Sequence, residues 1–149
     1  MIVSHHLGRE GKSLNHKDYL PVGLLKLATW HQAKGNQVAL SLGYLRTDFE
    51  ADEVYVTSLF TYWADHVRDA VLHYRCCLPA ARITVGGIYA SLQPDHCREY
   101  TGCDAVWRGV HEGAERCRPD YSLVDTDFQI IHASRGCIRR CTFLSLIHI

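Results

Sequence analysis

A doubly wound α/β fold, a parallel sheet with helices on both faces, is what this 149-residue sequence predicts. Three observations point to it. Short apolar or β-branched runs alternate with longer segments of helical periodicity. Gly and Pro stand where one kind of segment gives way to the next. The length suits one ordinary domain with a core of its own.

The first helix is expected over Pro21 to Lys34. Pro fits a first helical position, where its missing N–H has no intrahelical partner. Leu24, Leu27, Ala28 and His31 share a face, with Leu25 beside them, and Gly35 suits a left-handed C-cap. Gln37 to Leu42 reads as a strand closed by Gly43. Glu53 to Leu59 is the clearest strand. Thr61 to Leu78 is the clearest helix: Trp63, Val67, Ala70, Val71, Tyr74 and Leu78 recur at helical spacing, and Pro79 stops it. Arg82 to Val85 is a third strand, ended by Gly86-Gly87. A short helix is expected around Pro94 to Tyr100, and a short fourth strand at Ala105 to Trp107. Residues 112–127 read as a polar connector, with Pro119 and three Asp. Phe128 to His132 starts a new strand. In such a sheet crossovers are right-handed, and ligands bind beyond the carboxyl ends of the strands where strand order reverses. The loops after Leu59 and after Val85 are therefore the candidate ligand loops.

Composition narrows the function classes. Hydrophobic residues make up 47% and charged residues 21%, which excludes a disordered tail, a collagen-like fibre and a coiled coil. Sixteen basic residues balance sixteen acidic ones, which argues against a dedicated nucleic-acid binder. No apolar run reaches the roughly 20 residues of a membrane span. The start, Met1 to His6, carries no signal-peptide pattern, so a reducing cytosol is expected, with the seven cysteines as core residues or metal ligands. Ten histidines make the charge rise steeply below about pH 6.5.

Several of these residues have a plain reading and a chemical one. Cys76-Cys77, late in the long helix, reads as one packed and one exposed thiol, since adjacent helical residues point apart. Cys97, Cys103 and His96 lack a second close ligand pair, so packing is expected there rather than a metal. His5-His6 reads as a solvated end. His111 lies in a Gly-flanked loop on the ligand side of the sheet, where an ordinary surface role is expected.

The segment Ser134-Arg135-Gly136-Cys137-Ile138-Arg139-Arg140-Cys141-Thr142-Phe143 follows the new strand directly. From its residues alone, two readings stay open: a coincidental C-x-x-x-C, or a thiolate pair whose charge the arginines favour. Two thiolates do not complete a zinc or iron–sulfur site. With the R-G pair before it and the aromatic residue after it, the segment resembles the cluster motif of radical S-adenosylmethionine enzymes. Cys137 and Cys141 match the first two cysteines, and Phe143 matches the aromatic position that packs near the cofactor's adenine. Position 144, where the family has its third cysteine, is Leu.

The upstream region resembles the cobalamin-binding-type α/β domain that many of these enzymes carry. Thr57-Ser58-Leu59 is similar to its S-x-L element and Gly86-Gly87 to its G-G element, with 26 residues between Leu59 and Gly86. The PVGLLKLA stretch from Pro21 is similar to the first helix of these domains. Small residues at strand ends leave room for a ligand to approach the backbone. The D-x-H-x-x-G element, with its cobalt-ligating histidine, is absent.

The resemblance implies a division into residues 1–125 as the cobalamin-binding-type domain and 126–143 as the start of a radical S-adenosylmethionine barrel. It implies a [4Fe-4S] cluster on Cys137, Cys141 and a third cysteine, with S-adenosylmethionine on the fourth iron. One electron from the cluster then cleaves the sulfonium C–S bond to a 5′-deoxyadenosyl radical. A small-molecule substrate, an electron donor and a cytoplasmic setting follow from it, with cobalamin as a further ligand of the first domain. No membrane or nucleic-acid partner is expected. Leu144 to Ile149 has no counterpart in the family and can be encoded by CTG TCT CTT ATA CAC ATC, which looks like the transposon end used to prepare sequencing libraries. A non-native tail at 144–149 is therefore expected, and with two of three thiolates the chain is expected not to turn over. A natural C-terminus on a degenerate paralogue is the alternative reading. Two further function classes stay open: a stand-alone cobalamin- or nucleotide-binding module, and a partner domain without a ligand.

Overall fold

The computed structural model describes residues 2–4, 20–42 and 50–132. Their centre is a five-stranded, wholly parallel sheet in the order β2-β1-β3-β4-β5. The strands are β1 (Ile2–Ser4), β2 (Leu40–Leu42), β3 (Glu53–Ser58), β4 (Arg82–Gly86) and β5 (Ala105–Val106). The helices are α1 (Val22–Gln32), α2 (Ala64–Cys77), α3 (Gly87–Leu92), α4 (Pro94–Thr101) and α5 (Glu112–Glu115). The α/β class with a parallel sheet is thus observed.

Alternation along β3 explains the layers. Val54 and Val56 point to one face with Ile83 and Val85 of β4, and all four are buried. On that face they meet Val67, Ala70, Val71 and Tyr74 of α2, Tyr89 and Ala90 of α3, and Cys97 of α4. The apolar stripe read along the long helix is therefore its buried face, although Trp63 and Leu78 at its ends are half-buried. Tyr55 points the other way and packs with Leu24, Leu27 and Ala28 of α1, Leu40 of β2 and Ala114 of α5. Fully burying a Val or Ile side chain contributes about 1.5–3 kcal/mol, so these two clusters fix which face each helix covers.

The structure departs from the sequence expectations in five places. β1 was not expected at all. It lies between β2 and β3, and three residues carry no periodicity to detect. β2 is confined to Leu40–Leu42 of the expected 37–42 run. The long helix opens with a tight 3-10 turn, Thr61–Trp63. α3 starts at Gly87 itself, where the glycine pair reads as a turn.

The fifth departure concerns the chain after β5. Residues 112–127 are not a bare connector: α5 and a 3-10 turn at Tyr121–Leu123 dock along α1. Asp120 N–H donates to Leu25 O at 3.2 Å, and the Thr29 hydroxyl donates to Arg118 O at 2.7 Å. Gly113 permits this approach, since a Cβ there would stand 2.5 Å from Trp30 Nε1. Phe128 to His132, expected as a strand, pairs with no strand among the described residues. Without a ladder partner the backbone groups of this segment are satisfied elsewhere, those of Ile130 by the Tyr121 hydroxyl. The rest of the expected barrel start, 133–143, and the tail at 144–149 lie outside the described residues.

The amino end of the sheet is tied by Asp104. Its carboxylate accepts from Arg75 Nη2 and from Ile83 N–H, both at 2.7 Å. The Arg75 hydrogen bond, helped by the Ile83 N–H, holds this carboxyl below its ordinary value of 3.8. A depressed folded-state pKa stabilises above the unfolded value and loses that contribution as pH falls through the folded one. Asp104→Asn is expected to lower stability at neutral pH, and the gap to the native protein should close as pH falls through the lowered carboxyl pKa, as read by urea melts across pH.

Candidate functional site

At the carboxyl ends of β3 and β4, on the α1 face of the sheet, lies a crevice of about 450 Å³. That volume falls in the usual range for small-molecule sites, about 300–1,000 Å³. Alternation places Tyr55 and Thr57 of β3 and Thr84 and Gly86 of β4 on its floor. Leu20 to Leu27, at the start of α1, form one wall. Trp107, Val110 and His111, after β5, form another. Thr57, Leu59, Gly86 and Gly87, the ligand-loop residues expected from sequence, all line this one crevice.

The glycine pair acts differently from the sequence argument. Gly87 has φ +89°, and a Cβ there would stand 2.4 Å from Thr57 Oγ1 and 2.6 Å from Ser58 O. The space freed by the missing side chain is filled by β3 and not left for a ligand. A bridge between Ser58 and Gly87 continues the β3–β4 pairing by one residue. Ser58, fully buried, closes its own turn by donating from Oγ to Phe60 O at 2.8 Å.

His111 was read as a surface-loop residue, and the structure gives it a definite structural role. Its Nδ1 accepts from Ala114 N–H at 3.1 Å and caps α5. Accepting at Nδ1 places the neutral ring's proton on Nε2. The ring stacks on Trp107, with centroids 4.7 Å apart and planes 22° apart, and meets Trp30 edge-on at 4.5 Å. Trp107 remains 43% exposed and Ile88 37% exposed, so the crevice offers a flat aromatic and an aliphatic surface. Its one charged feature is internally paired: Lys26 Nζ lies 3.1 Å from Glu115 Oε2 and donates to Glu115 O at 3.2 Å. The signal that finds Lys26 and Glu115 is tertiary, since they lie 89 residues apart.

The remaining expectations separate cleanly. Cys97 and Cys103 are buried in the core, as packing residues. The hydrogen bond to Cys103 and burial push the Cys97 thiol above its ordinary range, which keeps it a protonated donor. His96 Nδ1 pairs with the Tyr89 hydroxyl at 2.8 Å, and burial pushes that phenol up to about 12. Cys76 is exposed, while Cys77 packs 3.8 Å from His73 Nε2. Among the described residues no group of three or more His, Cys, Asp or Glu is placed to hold a metal ion. His5, His6, Cys137, Cys141 and Phe143 lie outside the described residues. No described helix is long and apolar enough to cross a membrane.

A second cavity, about 560 Å³, opens at the amino ends of the strands among Glu50, Asp52, Glu53, Asn36 and His31. Burial lowers the His31 pKa, and Glu53 accepts from the Tyr55 hydroxyl at 2.6 Å. This cavity is polar and lies away from the strand ends where ligands of such sheets bind.

Comparison with protein-family models, curated proteins and solved structures found no match.

The close approach at Gly87 makes a sharp expectation. Gly87→Ala should destabilise by about 2 kcal/mol or more, from positive φ and backbone overlap together. Gly23→Ala, in α1 with nothing within 4 Å of the new Cβ, should instead stabilise by about 0.5–1 kcal/mol. Denaturant melts of the two variants measure both signs.

Proposed function

We propose that this chain is the N-terminal part of a radical S-adenosylmethionine enzyme whose α/β unit binds a ligand with a flat, largely apolar part in the crevice. The observation that carries the reading is the position of that crevice. It lies at the carboxyl ends of a parallel sheet of order 2-1-3-4-5, the order of doubly wound nucleotide- and flavin-binding folds. The cluster-like segment Ser134 to Phe143 follows in sequence directly after Ile130 and His132, which line the crevice.

The residues present fit part of a cobalamin or a nucleotide. Trp107 and Ile88 offer stacking surface, Thr57 offers a hydroxyl, and Lys26 offers a positive charge once released from Glu115. His111 is not placed to be a lower cobalt ligand. It spends Nδ1 on the α5 cap, and its ring is held between Trp107 and Trp30. This domain therefore holds a ligand by shape and stacking.

The donor set does not fit a complete radical S-adenosylmethionine cluster. Such a cluster leaves one iron for the cofactor and needs three thiolates, and the segment offers Cys137 and Cys141 with Leu at 144. Arg135, Arg139 and Arg140 favour charged thiolates and cannot replace a ligand. The chain as written is accordingly inactive on this reading, and no catalytic residue is assigned.

A second reading, a stand-alone binding module, rests on the crevice itself, to which β3, β4, α1 and the segment after β5 all contribute. Visible absorption after anaerobic expression of a chain with Leu144→Cys and the native sequence beyond it separates the two, with an iron–sulfur band for the enzyme and cobalamin bands alone for the module.

Ligand count gives the direct test. After anaerobic reconstitution, the chain as written should retain little iron and sulfide. A chain with Leu144→Cys and the native sequence beyond it should hold four of each, because metal binding and loop ordering are coupled. Equal four-iron loading of both would remove the motif assignment.

A further inference from the structure

We infer that residues 126–132 form a strap across the crevice, latched by the hydroxyl of Tyr121, so that widening the crevice and opening the latch are one event. The inference rests on the crevice being a ligand site. Ile130 and His132 contribute to the crevice lining, although they come from outside the sheet and its helices. The Tyr121 hydroxyl accepts from Ile130 N–H at 2.9 Å and donates to Ile130 O at 2.6 Å. A single side chain thus satisfies both backbone groups of Ile130, the service a neighbouring strand would supply.

The anchor of that hydroxyl is rigid. Tyr121 opens a 3-10 turn whose N-cap, Asp120, accepts from Ser122 N–H at 3.0 Å. Asp120 is fixed in turn to α1, through Leu25 O and through Gln32 Nε2 at 3.0 Å. α1 is also a crevice wall, so the latch is mounted on the surface it closes against. The strap itself has little holding it besides. Phe128 is 39% exposed and Ile131 is 81% exposed. Among the described residues the Thr126 hydroxyl bonds within the strap, to Phe128 O at 3.1 Å and from Phe128 N–H at 3.3 Å. Segments with few buried contacts and exposed backbone hydrogen bonds are the ones that open locally. A ligand larger than the present crevice displaces Ile130 and His132 from its lining. That displacement breaks both Tyr121 bonds.

Tyr121→Phe tests this in the full chain, since it removes the hydroxyl and leaves the ring. Amide exchange at Ile130 should accelerate at least fivefold, the loss of about one net hydrogen bond. Exchange in β3 and β4 should stay unchanged. Protease cleavage within 126–132 should rise, and binding of 8-anilinonaphthalene-1-sulfonate, a flat apolar anion, should strengthen at least threefold. If the variant does not fold, Ile130→Pro deletes the same N–H from the strap side, and cleavage within 126–132 and dye binding are then the readouts, since proline has no amide proton to exchange. Equal Ile130 protection in variant and native protein would overturn the latch. Freed exchange with unchanged dye binding would overturn closure of the crevice. Failure of hydroxocobalamin and of adenosine monophosphate to bind either protein would instead remove the ligand reading and leave the strap standing.

Discussion

Thr57 and Gly87 set the geometry on which the crevice depends. β4 passes into α3 at a residue with φ +89°, pressed against the end of β3 so closely that no side chain fits. This contact lets the β3–β4 pairing run to the last residue of both strands, through the Ser58–Gly87 bridge. It also aims α3 back over the face holding Val54, Val56, Ile83 and Val85, where Tyr89 and Ala90 are fully buried. Strand ends held in register leave Thr57 and Gly86 side by side at the floor of the site. A slack turn here would blur that floor, because register and side-chain direction are coupled in a sheet.

The opposite wall is set by a different interaction. Lys26 is buried in α1 and is satisfied by both the side chain and the backbone carbonyl of Glu115. A partly buried ammonium is costly unless it is paired, so α5 is held where Glu115 can reach it. His111, capping α5, then stands between Trp30 and Trp107 and carries the indole of Trp107 to the crevice rim. One face of the site is therefore fixed by backbone proximity, the other by an ion pair and an aromatic stack.

Legibility in the sequence followed local signal strength. α1, β3, α2 and β4 carry strong periodicity between Pro and Gly boundaries, and their observed spans agree with it to within a few residues. β1 carries three residues whose strand character comes from pairing on both sides. α3 was hidden because two glycines read as a stop, whereas positive φ at Gly87 is what starts the helix. The docking of 112–123 was hidden because its polar composition suggests solvent, while its partners lie nearly ninety residues earlier on α1. Phe128 to His132 erred in the other direction: its composition is strand-like, yet a strand needs a neighbour. Of the crevice lining, the loops after Leu59 and Val85 were legible because strand ends can be counted, and Thr57, Leu59, Gly86 and Gly87 through the family resemblance. Lys26, Glu115, Trp107 and Tyr121 were not, because each acts through a contact distant in sequence.

Amide chemical-shift mapping of the full chain, titrated with hydroxocobalamin and separately with adenosine monophosphate, tests the central claim most directly. The account predicts saturable shifts from at least one of them, centred on Thr57, Gly86, Gly87 and Trp107. Shifts centred instead on Glu50 to Glu53 at the amino ends of the strands, or no saturable shift with either compound, would contradict it.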